Sequence, residues 1–77
     1  MQTAYTDSGV VYTANNKTLS FNGEYNFGEV HLNSAFFGFY EIDDEGVLRI
    51  ANEAGVQLAE FDNDEESYET YAASVLV

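Results

Sequence analysis

Tyr40-Glu41-Ile42-Asp43-Asp44-Glu45-Gly46-Val47-Leu48-Arg49-Ile50-Ala51-Asn52-Glu53-Ala54-Gly55-Val56-Gln57-Leu58 contains the same turn signal twice. Asp43-Asp44-Glu45-Gly46 and Asn52-Glu53-Ala54-Gly55 each begin with a polar residue and carry glycine at the fourth position. That composition fits a type I turn followed by a left-handed residue, a backbone region that glycine enters without steric cost. With two such turns, residues 36–61 read as a three-stranded meander. Ile42 faces Leu48, Tyr40 faces Ile50, and Ile50 faces Leu58. One side of the meander then carries Tyr40, Ile42, Leu48, Ile50 and Leu58. The same register sets Glu41 opposite Arg49, where a cross-strand ion pair is expected.

An apolar sheet side needs a cover, and the chain supplies one directly downstream. Tyr68, Tyr71, Ala72, Val75 and Leu76 follow the i, i+3, i+4, i+7, i+8 spacing of an amphipathic helix. Asp62 or Asn63 is placed to cap it, with Glu65 or Glu66 three residues on as the capping-box partner. Carboxylates in a first turn also suit the positive end of the helix dipole.

Upstream, Val10-Val11-Tyr12-Thr13-Ala14 and Thr18-Leu19-Ser20-Phe21 are rich in β-branched and aromatic residues. Asn15-Asn16 between them suits a type I′ hairpin turn, because asparagine tolerates positive φ. That register sets Tyr12 opposite Leu19 and Val10 opposite Phe21. Tyr5 is placed at a sheet edge. Residues 22–35 are ambiguous: Asn22-Gly23 signals a turn, whereas Val30-His31-Leu32 fits a short strand or one helical turn. The expected fold is α+β, a small antiparallel sheet made of an N-terminal hairpin plus the three-stranded meander, covered by a C-terminal amphipathic helix. Residues 1–77 form a single domain with a small core.

Composition narrows the functional classes. The chain has no cysteine, which removes disulfides and thiolate zinc sites. It has no apolar run near the ~18 residues of a membrane span and no basic leader, so a cytoplasmic location is expected. Fourteen acids against Lys17 and Arg49 give a net charge of −12. That magnitude exceeds the roughly 2–8 that keeps a small domain soluble. It argues against direct nucleic-acid binding, which needs a basic footprint, and for a basic protein partner.

Catalytic signals are absent. His31 is the one histidine, and no serine sits in a nucleophile motif. The glycines form neither a dinucleotide-binding fingerprint nor a phosphate-binding loop, so no cofactor is expected. Asp62-Asn63-Asp64-Glu65-Glu66 resembles the start of a calcium loop, but Ser67 stands where that loop needs glycine and Ala73 where it needs glutamate. The sequence therefore predicts no dedicated metal site and no enzyme.

What remains is the acidic stretch itself. Eleven of the fourteen acids lie between residues 41 and 69, and no lysine or arginine occurs from Ile50 onward. On a helix, Glu65 and Glu69 stand about 6 Å apart along one face. Like charges at that spacing oppose helix formation. A small, cysteine-free, strongly acidic domain of this kind resembles phage-encoded anti-CRISPR and anti-restriction inhibitors, several of which mimic nucleic acid. The resemblance covers composition and residues 41–69. It implies stoichiometric blocking of a Cas effector or restriction complex at its Lys/Arg-lined groove. The residues expected to meet the partner are Asp43, Asp44, Glu45, Asp62, Asp64, Glu65, Glu66 and Glu69. Phe39, Tyr40, Phe61 and Tyr68 adjoin them, as apolar anchors or as core, with Tyr40 and Tyr68 assigned to core. Two other readings give the same charge: an immunity- or antitoxin-type protein neutralising a basic toxin or nuclease, and a salt-adapted acidic domain.

Overall fold

In a computed structural model describing residues 1–77, a single sheet runs unbroken through the first four-fifths of the chain. Its strands are β1 (Gln2–Thr6), β2 (Gly9–Ala14), β3 (Lys17–Gly23), β4 (Phe27–Leu32), β5 (Ala35–Ile42), β6 (Val47–Ala51) and β7 (Gln57–Asp62). One helix, α1 (Glu65–Val75), follows. Every strand pairs antiparallel with its sequence neighbours, in spatial order β1 to β7. The sheet is larger than the expected hairpin plus meander by two strands: residues 22–35 join the two pieces through β4, and β1 pairs along the outer edge of β2.

Local chemistry accounts for the turns. Asn15 and Asn16 have φ of 54° and 62°, the type I′ geometry, and they fix Tyr12 opposite Leu19 and Val10 opposite Phe21. Asn33 and Ser34, at 52° and 68°, make a second turn of the same kind. Gly46 and Gly55 both sit at φ 80°. In each of their turns the first residue locks the loop with its side chain: Asp43 Oδ1 accepts from Glu45 N and Val47 N, and Asn52 Oδ1 accepts from Ala54 N and Val56 N.

One sheet face is dry. Val10, Tyr12, Leu19, Phe21, Val30, Tyr40, Leu48 and Ile50 are buried there under Ala72 and Leu76 of the helical segment. The Tyr68 ring lies 5.1 Å from Phe21 and 5.5 Å from Phe61, so one helical residue spans from β3 to β7. The sheet therefore curls around α1. Tyr40 packs across the strand pair: a Cβ on Gly28 would stand 2.6 Å from its Cε2, and its hydroxyl donates to the Glu24 carbonyl at 3.0 Å. Gly28 is the space that this ring occupies.

Three sequence expectations are corrected. Ile50 pairs with Ala59 rather than Leu58, because a register shift between Ile50 and Ala51 inserts an extra residue in β7. Ala59 and Phe61 pack on the core as a result, and Leu58 is left 41% exposed. Glu41 does stand opposite Arg49, yet the guanidinium pairs with Asp43 at 2.7 Å and Glu60 at 3.0 Å. The turn and the neighbouring strand bring those two carboxylates within reach. The cap is Asp64 rather than Asp62 or Asn63: its carboxylate accepts from Ser67 N at 2.7 Å. The third helical position is thus serine, so no acid completes a capping box.

Candidate functional site

A meander sends alternate connections to opposite ends of its sheet. The β1–β2, β3–β4 and β5–β6 turns therefore share one end with the β7–α1 junction. Backbone hydrogen bonds tie them into a continuous rim. Gly23 N donates to Ser8 O at 2.8 Å, Ile42 N to Asn26 O at 2.9 Å, and Asn63 N to Gly46 O at 2.8 Å. That rim carries Asp7, Glu24, Asp43, Asp44, Glu45, Asp62, Asp64, Glu65 and Glu66, all nine exposed. The opposite end, made by the Asn15, Asn33 and Asn52 turns, carries one acid, Glu53, together with Lys17. There Lys17 Nζ donates to Val77 O at 2.6 Å and Asn15 Nδ2 to Leu76 O at 2.7 Å, anchoring the helix C-terminus. The molecule is electrically polarised from end to end.

The eight sequence-nominated residues are brought together. Asp43, Asp44, Glu45, Asp62, Asp64, Glu65 and Glu66 lie on the rim, and Glu69 sits half-buried one helical turn further along. Two of them have structural duties. The Arg49 guanidinium beside Asp43, with the Val47 and Glu45 N–H groups, holds the Asp43 carboxyl below the usual carboxylate range. The Ser67 hydrogen bond does the same for Asp64. Glu65 Oε1 also accepts from Tyr5 OH at 3.3 Å. Asp44, Glu45, Asp62 and Glu66 have neither an ion pair nor a side-chain hydrogen bond.

Sequence reasoning missed Asp7 and Glu24, and with them Tyr25, which stands 85% exposed at the tip of the β3–β4 turn. The signal was the spacing. Asp7, Glu24, Asp43 and Asp62 recur at intervals of 17, 19 and 19 residues, the length of two strands with their turns. Of the four aromatics named beside the acids, Tyr40 is buried, and Phe61 and Tyr68 pack on the core. Phe39 is 50% exposed, on the sheet face away from α1.

The chain matches no protein-family model, no curated protein and no solved structure.

Nowhere do three histidine, aspartate or glutamate side chains gather as a metal ligand set. His31 is far from the rim turns in β4, with Nε2 2.9 Å from Glu29 Oε1 and its ring edge-on to Phe36. No helix is long and apolar enough to cross a membrane. The rim turns of a seven-strand sheet span six inter-strand steps of about 4.8 Å, an arc of roughly 29 Å. Nine carboxylates along it average about one per 3 Å, against one phosphate per 3.4 Å of axis along a single nucleic-acid strand, with Asp7 and Glu24 standing singly and the other seven crowded at the β5–β6 turn and the β7–α1 junction.

Proposed function

We propose that this protein is a non-enzymatic inhibitor that presents its acidic rim to the basic nucleic-acid-binding surface of a host defence complex. The complex is a Cas effector or a restriction enzyme, and the place of action is the host cytoplasm. The rim carboxylates take the positions that phosphates take on the natural ligand, so the groove is filled and its nucleic acid excluded. The observation that carries this reading is the gathering of nine exposed carboxylates at one end of the fold while the other end holds one. A salt-adapted surface needs acid everywhere and gives no reason for that polarity. Steering adds to the effect: a one-signed patch raises the association rate with an oppositely charged groove, and salt lowers it.

The test is immobilisation of the protein, exposure to a bacterial lysate at low and at moderate salt, and elution with duplex DNA. Release of a nucleic-acid enzyme by DNA supports mimicry. Release of a small basic toxin by salt, with DNA ineffective, replaces mimicry by an immunity-type role. Capture that ignores both salt and DNA overturns the assignment.

A further inference from the structure

The sheet face turned away from α1 has no cover, and its middle is aromatic. Across β4 and β5 the pairs on this face are Phe27 with Glu41, Glu29 with Phe39, and His31 with Phe36. Phenylalanine thus faces a carboxylate in two of the three pairs. Phe27, Phe36 and Phe39 are 56%, 38% and 50% exposed. In a regular strand, positions 36 and 39 would point to opposite faces. The register shift between Val30 and His31 makes Phe37 an extra residue, which packs against the core and leaves Phe36 beside Phe39, ring centroids 4.9 Å apart. A bulge that re-aims a third ring onto an open face is a recurrent feature of binding surfaces.

The signs of the neighbours say what those rings can bind. Aromatics on a sheet face stack nucleobases when lysine and arginine surround them. Here the neighbours are Glu29 and Glu41, which repel phosphate. Arg49, the one Lys or Arg side chain on this face, is already held by Asp43 and Glu60. A second copy is an equally poor occupant, since each chain carries −12 and would set these carboxylates against their own images. A guanidinium satisfies both components: its plane stacks on a phenyl ring while its N–H fork meets a carboxylate, and it sheds water more readily than an ammonium. Glu41 is exposed and makes no side-chain hydrogen bond, so its oxygens are free for that fork.

We propose that the open face around Phe36, Phe39 and Glu41 is a second contact surface, which docks an arginine-bearing segment of a basic partner protein. The inference rests on the proposed function only in taking the partner to be basic. It adds a specificity that charge alone lacks: arginine is selected over lysine.

Titration of the 15N-labelled chain with hexa-arginine and hexa-lysine peptides, at about 0.15 M salt, tests it by amide shifts. Both peptides are expected to shift rim amides such as Asp44 and Glu66. Only hexa-arginine is expected to shift Phe36, Phe39 and Glu41. The double substitution Phe36→Ala/Phe39→Ala weakens hexa-arginine about tenfold and leaves hexa-lysine unchanged. Glu41→Gln, which removes no ring from the face, weakens hexa-arginine alone. An open face silent to both peptides, an equal loss for both, or concentration-dependent shifts of this face without peptide overturns the proposal. Rim shifts with hexa-lysine report separately on cation binding by the rim, and release by duplex DNA on the mimic reading, so the two proposals fail independently.

Discussion

The polarity of the fold makes a prediction that net charge alone does not. Glu66→Lys and Glu53→Lys each take the chain from −12 to −10, one on the acidic rim and one at the opposite end. The five residues of β6 separate the two ends by about 17 Å at 3.3 Å per residue. At 0.15 M salt the Debye length is about 8 Å, so a cation docked on the rim lies two screening lengths from position 53. An exposed ion pair is worth about 0.2–1 kcal/mol. Reversal at position 66 removes one attraction and adds one repulsion, which weakens binding about two- to thirtyfold. Reversal at position 53 changes it by well under twofold. Near 0.01 M salt, where the screening length is about 30 Å, the two variants converge. The assay is hexa-lysine binding to each variant across that salt range, repeated with any captured partner. Equal weakening of both variants at 0.15 M refutes the argument, because it makes total charge rather than its placement the determinant.

Asp64→Ala removes the helix cap and is expected to lower Tm, whereas Asp64→Asn, which keeps the acceptor, restores most of it. Because the folded state holds the Asp64 carboxyl below its ordinary value of 3.8, the cap charge contributes fully above that pH and is lost as pH falls through the folded value. Asp64→Asn therefore abolishes this part of the acid sensitivity, which thermal melts between neutral and strongly acidic pH will detect. Gly28→Ala drives a methyl into Tyr40 Cε2 and the Asn22 carbonyl. It is expected to cost about 1–3 kcal/mol in urea unfolding with an unchanged m-value. In alkali, burial pushes the Tyr68 phenol from 10.0 to about 12 and raises those of Tyr12, Tyr40 and Tyr71. Their contribution is complete below about pH 10 and is lost as pH rises toward 12, so in a Tyr5→Phe/Tyr25→Phe variant, which removes the two exposed phenols, phenolate absorbance and circular dichroism are expected to change together in that window. Phenolate forming while the fold persists contradicts the packing described for these rings.

Much of the fold was legible because its turns announce themselves locally. Asn15-Asn16 and the two glycine-closed turns fix φ, and φ fixes which residues face each other; Tyr12–Leu19, Ile42–Leu48 and Tyr40–Ile50 followed from that alone. The Tyr68-to-Leu76 stripe was legible from its period. The misses are long-range or depend on one extra residue. A bulge carries no local signature, so the sequence puts Leu58 opposite Ile50, where the fold puts Ala59. Arg49 had three carboxylates within reach, and only the folded turn decides between Glu41, Asp43 and Glu60. β4 was ambiguous because Gly28 lets Tyr40 cover it, a relation between residues twelve apart that periodicity does not sample. At the rim, residues 41–69 stood out as a run of charge. Asp7 and Glu24 did not, because their membership comes from topology rather than sequence proximity.

A rim built from alternate turns works as a ruler with a fixed graduation. Each added hairpin of the meander would lengthen it by two strand spacings, about 10 Å, and bring one more turn to the same side. Insertion of a single strand would instead send every later turn to the far side and divide the charge between the two ends. Under the proposed function, the length of groove that such a protein can occupy is therefore quantised by strand pairs, and descendants matched to longer grooves are expected to differ from this chain by whole hairpins.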